Sequence, residues 1–198
     1  MLARGDARGV FMKVYEQVIH RTEQMLQQNY FEDPAWVRKI GLTYANYFRR
    51  AFLSYNTYQS SGYWTETLVS PWWLAFSENR IGDLAVPVQF ILSTNAHIQN
   101  DLPHALIDSG ADFSERCHRD YQRIGEIFRG SFEQSWQVVY RLDQRNRSGI
   151  ERTLGSWMAE NWIAIFRETA WKNAVKLSKQ QTSAAQIEQQ AYKAALGY

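Results

Sequence analysis

The sequence predicts an all-α protein: a single-domain bundle of seven or eight helices arranged around one central, proline-kinked helix. Three observations carry that prediction. Only four prolines and eleven glycines interrupt 198 residues. Apolar residues recur at helical spacing along almost the whole chain. No internal repeat, low-complexity tract or linker divides it, so residues 1–198 read as one domain with room for a full core.

In chain order, Phe11, Val14, Tyr15, Val18, Thr22, Met25 and Leu26 form a first helical stripe, which ends before Asp33-Pro34. Pro34 opens a second helix to about Tyr55, with Val37, Ile40, Tyr44, Phe48, Phe52 and Tyr55 on one face. Residues 56–65 are polar and aromatic without period and read as a loop. Ser70-Pro71 is an N-cap followed by proline at the first helical position, starting a short helix through Trp72, Trp73 and Phe76. Val86-Pro87 starts the central helix, and Pro103 is expected to kink or break it, because proline lacks the backbone donor. Further helices are expected from about Asp112 to Phe128, Ser131 to Asp143 and Ser148 to Lys179. The tail from Thr182 is weakly amphipathic through Ile187, Ala191, Ala195 and Leu196.

Composition narrows the function. With 22 basic against 20 acidic residues the net charge is +2, which gives no reason to expect a nucleic-acid partner. The one basic stretch, Arg141 to Arg147, fits a solvated turn. Cys117 is the only cysteine, which excludes an intrachain disulfide and a cysteine-rich metal site. The most apolar windows, near Val86–Leu92 and Trp162–Phe166, are too short to cross a membrane, and no apolar run of signal-peptide length follows the N-terminus. A cytoplasmic protein without a membrane partner is the expectation. Eight Trp, eleven Tyr and ten Phe supply enough aromatic surface to wall an apolar pocket as well as fill a core.

The residues that carry chemistry lie on the central helix. His97, Asp101, His104 and Asp108 fall at i, i+4, i+7 and i+11, one stripe of a helix. Imidazole and carboxylate are the usual ligands of zinc or iron and the usual acid–base pair. A polar stripe opposite an apolar face is ordinarily solvated. Here, however, Leu84 to Ile107 contains no Lys, Arg or Glu. That absence fits a helix inside the bundle whose polar side faces an internal site. Because Pro103 interrupts the register, His97 and Asp101 are the firm pair, and His104 and Asp108 rank behind them.

Two positions on other helices are candidate partners. Glu115 and His118 have the Glu-x-x-His spacing of di-iron carboxylate bundles, though as a single pair. Glu168, in the apolar helix Ile163–Trp171, needs a partner: Arg167, Lys172 or a metal across the bundle. Glu16 and His20 share the spacing of His97 and Asp101 but lie on a face of ordinary charged residues, and read as solvent-exposed.

The segments Asn95-Ala-His-Ile-Gln-Asn-Asp-Leu-Pro-His-Ala-Leu106 and His118-Arg-Asp-Tyr-Gln-Arg-Ile124 resemble an uncharacterised bacterial family of small helical proteins. That family has an Asn-Ala-His-Ile-x-x-Asp-Leu core, and Arg167-Glu-Thr-Ala-Trp171 extends the resemblance more loosely. The resemblance implies that Asn95, His97, Asp101, His118 and Asp120 occupy motif positions, and it implies no reaction. More distantly, His97 and Asp101 are similar to the His-x-x-x-Asp pair of all-α zinc-dependent phospholipases C and related nucleases. The further histidines of that group have no match.

Three functions follow as expectations. The first is a metal-dependent enzyme, hydrolytic or oxygen-activating, acting on a small apolar metabolite. Zinc or iron would be held by His97, Asp101, His118 and Glu168, and His104 would serve as outer partner or base. The second is a metal-free acid–base enzyme of the isomerase or cyclase type. The third is a protein that binds a small apolar or aromatic ligand without turning it over. The chain has no Gly-x-Ser-x-Gly elbow, phosphate-binding glycine loop, dinucleotide fingerprint or His-Glu-x-x-His helix to decide among them.

Overall fold

The structure, a computed structural model, describes residues 8–62, 70–77, 86–142 and 149–196. Every element among them is helical: α1 (Arg8–Gln27), α2 (Pro34–Ser61), α3 (Pro71–Ser77) and α4 (Val86–Asn95), then a π-helical turn (Ala96–Asp101), α5 (Leu102–Asp108), α6 (Glu115–Leu142), α7 (Gly149–Ser178) and α8 (Ala184–Leu196). Since α4, the π turn and α5 run on without a break, the described residues form seven rods, as the periodicity predicts.

Local signals set most boundaries. Asp33 caps α2 by accepting from the Trp36 amide at 2.9 Å, and Pro34 takes the first helical position. Ser70 caps α3 through the Trp72 amide at 3.3 Å. Gly62 ends α2 at φ 73°, a left-handed cap that other residues adopt at a cost.

The structure corrects two expected boundaries. The second helix runs to Ser61, a turn and a half beyond Tyr55, where a loop was expected. Tyr58 packs edge-on against Trp73, with ring centroids 4.7 Å apart, and Ser61 bonds back to the Thr57 carbonyl at 2.7 Å. Tertiary packing outweighs the weak propensity of these polar residues. The remainder of that expected loop, residues 63–65, lies outside the described residues. The helices expected on either side of Gly130 are one helix, α6: an interior glycine lowers stability but does not end a helix whose neighbours keep their packing. Most of the basic stretch, residues 143–147, also lies outside the described residues.

The central rod α4–π–α5 is buried on nearly every side. Phe90, Ala96, Ile98, Leu102, Ala105 and Leu106 are buried, and so are the polar Gln89, Ser93, Thr94, Asn95, His97 and Asp101. Among its described side chains the exposed ones are Val88, at 39%, and Asp108 at the end of α5. Helices α1, α2, α3, α6, α7 and α8 all pack against this rod. No described helix is long and apolar enough to cross a membrane.

Candidate functional site

Pro103 is accommodated by a π turn rather than a break. An α-helix would place the proline ring against the Gln99 carbonyl and leave that acceptor without its amide partner. The chain widens by one residue just before it: the Leu102 amide donates to the His97 carbonyl, five residues back. Such turns re-aim side chains and occur often at functional sites.

The widened turn presents each motif residue to a different neighbour. The Asn95 side chain donates to the Ala191 carbonyl on α8 at 2.8 Å and accepts from Gln99 at 2.6 Å. The His97 ring stacks flat on Tyr44 of α2, with centroids 3.5 Å apart and planes within 8°. Phe11, Tyr15 and Phe48 meet that ring edge-on, and Trp72 meets it tilted. Asp101 is 1% exposed and accepts three bonds: Trp72 Nε1 at 2.8 Å and His97 Nδ1 at 3.0 Å on Oδ2, and Asn100 Nδ2 at 2.9 Å on Oδ1.

The proton positions follow from this network. A carboxylate offers only lone pairs, so Nδ1 carries the imidazole proton and Nε2 is left as an acceptor. Burial pushes the His97 pKa below its ordinary value, against the opposing pull of Asp101. Nε2 is buried without a hydrogen-bond partner. His97 is therefore a neutral, oriented base in an aromatic cage.

Two cavities lie on either side of this turn. One, of about 360 Å³, sits between α1, α2 and α6, and Tyr15, Val37, Tyr44, Ile98, Leu102, Tyr121 and Arg167 are among its lining residues. Its exposed lining residues include Ile19 and Leu42. The other, of about 370 Å³, is a polar cleft between α2, α3, α5 and α8, where Tyr47, Trp72, Asn100, Asp101, His104 and Glu188 meet. His97 lines neither. Its ring backs Tyr44 of the first cavity while its Nδ1 holds Asp101 of the second, so the His97–Asp101 pair spans the wall between them.

The remaining sequence candidates separate. His104 is partly buried beside Tyr47 in the cleft, and burial lowers its pKa. Asp108 is exposed and accepts from the Tyr47 hydroxyl at 2.7 Å. His118 packs at a tilt against Trp171, with centroids 4.6 Å apart, and meets Gln122 at 3.4 Å. Glu168 pairs with Lys172 at 3.2 Å on the outside of α7. The structure brings His97 and Asp101 together and leaves His118 and Glu168 away from them. Among the described residues no three His, Cys, Asp or Glu side chains gather as a metal-binding group. His20 is exposed beside Gln24, as its charged surroundings imply.

Asp120, the other acidic motif residue, is fully buried and braces the fold. It accepts from the backbone amides of Glu32 and Asp33 at 2.9 and 2.7 Å and from Arg123 at 3.0 Å, fixing the loop that starts α2.

Arg167 is the residue that reading the sequence as a Glu168 partner overlooks. Ile163, Arg167, Ala170 and Ala174 are all buried, at i, i+4, i+7 and i+11 on α7. That apolar stripe was available in the sequence, and it aims Arg167 inward while Glu168, the next residue, turns outward.

The model of a family of unknown function, DUF5995, matches residues 1–197. The chain belongs to this family. No curated protein and no solved structure matches it. Family membership names no reaction.

Proposed function

We propose that the protein binds a small apolar molecule in the cavity between α1, α2 and α6. The observation that carries this reading is the cavity itself: about 360 Å³, walled mainly by aliphatic side chains, Phe128 and three tyrosines, with Arg167 buried in the wall and Ile19, Leu42, Glu23 and Arg38 exposed. Such a volume lies within the range of ligand sites, and an apolar wall with few polar groups is their usual composition. The His97–Asp101 pair serves this pocket from behind by fixing the Tyr44 ring. Calorimetry with neutral decan-1-ol tests the reading. Wild type is expected to bind it, and Ala45→Trp, which fills the cavity from α2, is expected to abolish binding while leaving the helical circular dichroism intact. Absence of binding to the wild-type chain sinks the reading.

One observation favours a second reading, metal-free acid–base catalysis. His97 Nε2 is an unpaired buried base, and Asp101 and His104 share the polar cleft. In that case a substrate must reach Nε2 by displacing one of the rings around it. Conversion of a bound ligand, lost in His97→Gln with binding retained, would replace the binding reading with this one. The zinc or iron reading has two of its four ligands in contact, His97 and Asp101, and the separation of His118 and Glu168 ranks it third.

A further inference from the structure

We propose that the ligand of the α1–α2–α6 cavity carries a carboxylate, held by the Arg167 guanidinium and the Tyr44 hydroxyl; this rests on the cavity being a binding site. Arg167 is 8% exposed and lines the cavity. One of its N–H groups donates to the Tyr121 carbonyl at 2.7 Å, and its Cζ lies 4.2 Å from the Tyr121 ring centroid. Among the described residues no carboxylate pairs with it; the adjacent Glu168 is taken by Lys172. A largely buried guanidinium keeps its charge, and a carboxylate ligand would supply the counter-ion that the described residues do not.

The Tyr44 hydroxyl supplies the second, independent observation. Its oxygen is buried without a hydrogen-bond partner, on a ring that lines the same cavity. Burial pushes its pKa well above the ordinary phenol value, so it keeps its proton and can donate. Tyr44 and Arg167 line the same cavity. One planar cation and one neutral donor suit a single planar anion. A carboxylate matches the guanidinium fork, whereas a phosphate monoester would bring a second charge into an apolar wall.

Size sets the rest of the molecule. At about 30 Å³ per water-sized group, the cavity holds roughly a dozen heavy atoms, the size of a medium-chain carboxylate. Asp101 does not compete for the cation, because its oxygens are engaged by Trp72, His97 and Asn100 on the other side of the wall.

Calorimetry of the full chain with decanoate and decan-1-ol tests the assignment. Decanoate is expected to bind at least about tenfold more tightly than the alcohol. Arg167→Met is expected to remove that preference, and Tyr44→Phe, which keeps the ring against His97, to reduce it severalfold. Both variants are expected to lose more affinity for decanoate than for decan-1-ol. If the alcohol binds and decanoate binds no better, the carboxylate assignment fails while the cavity reading stands. If neither binds, both fail. Should Arg167→Met not fold, Tyr44→Phe decides alone: an unchanged preference overturns the assignment.

Discussion

Asp101→Ala isolates what the motif on the central helix contributes to the fold. Asp101 is the shared acceptor of three donors from two elements, and two of those, Trp72 Nε1 and His97 Nδ1, are themselves buried. Deleting the carboxylate leaves both without partners, at about 1–3 kcal/mol for each buried donor. Asn100 is only partly buried and can turn toward the cleft, so it adds little. Water entering from the cleft offsets part of the loss, and the expected destabilisation is about 3–4 kcal/mol. That is a large share of a typical total of about 5–15 kcal/mol. For a chain of this size it corresponds to a fall in melting temperature of roughly 6–16 °C. Urea unfolding followed by tryptophan fluorescence and circular dichroism measures it. Asp101→Asn keeps the shape and one acceptor oxygen, and should cost about half as much. In a double-mutant cycle, Trp72→Phe should be strongly coupled to Asp101→Ala, since each removes the same bond. A loss below about 1 kcal/mol, or additive effects of the two substitutions, would refute the claim that Asp101 ties α3 to the central rod.

Stability should fall on acidification, because His97 and His104 are both held below the ordinary value of 6.5 when folded. The unfolded chain takes up protons there that the folded chain does not, so stability is full above about pH 6.5. Below it, each histidine removes up to about 1.4 kcal/mol per pH unit until its folded pKa is reached. His104→Gln should flatten the urea-midpoint profile between pH 7 and 5.5; a wild-type profile that stays level there contradicts the buried, neutral assignment. Asp120→Ala should cost about 2–4 kcal/mol by freeing the Glu32 and Asp33 amides, measured by the same unfolding, and a cost near zero would show that the loop holds itself. Gly125→Ala would place a Cβ 3.0 Å from Arg167 Nε. Its helix propensity favours folding by about 1 kcal/mol, so the melting temperature should change little while the decanoate preference drops. A preference that survives intact means that the guanidinium is not the anion contact.

The fold was legible because its signals are local and redundant. Asp33-Pro34 and Ser70-Pro71 start helices in the sequence and in the structure alike. The absence of Lys, Arg and Glu from 84 to 107 marked the central rod as interior before any packing was known, and its polar side chains are indeed buried. The misread boundaries, at residues 56–61 and at Gly130, are places where contacts distant in sequence outweigh local preference. The site was legible in part for the same reason. His97 and Asp101 are four residues apart on one helix, so their contact follows from helix geometry alone. A partner from another helix depends on which way that helix faces, and spacing within a single segment carries no such information. His118 and Glu168 had suitable chemistry but lie elsewhere, held by Trp171 and Lys172.

The same limit explains why a strongly patterned motif need not mark the reacting atoms. Asn95 holds α8, His97 holds the Tyr44 ring of α2, and Asp101 holds Trp72 of α3. Three polar residues within seven positions thus tie three separate elements to one rod, and the π turn ahead of Pro103 lets them face those elements together. Polar groups in these roles must be buried and fully oriented, which also describes a catalytic centre, so burial and pairing cannot distinguish the two. Access can. Asp101 reaches the polar cleft and Tyr44 reaches the apolar cavity, whereas His97 opens onto neither. On the binding proposal, a ligand in the apolar cavity would be coupled to the dyad through the Tyr44 and Tyr15 rings, which line the cavity and pack on His97. His97→Gln should therefore weaken decan-1-ol binding by loosening Tyr44 even though no ligand atom touches residue 97. Unchanged affinity in that variant would leave the dyad with no part in binding and reduce it to a tie between helices.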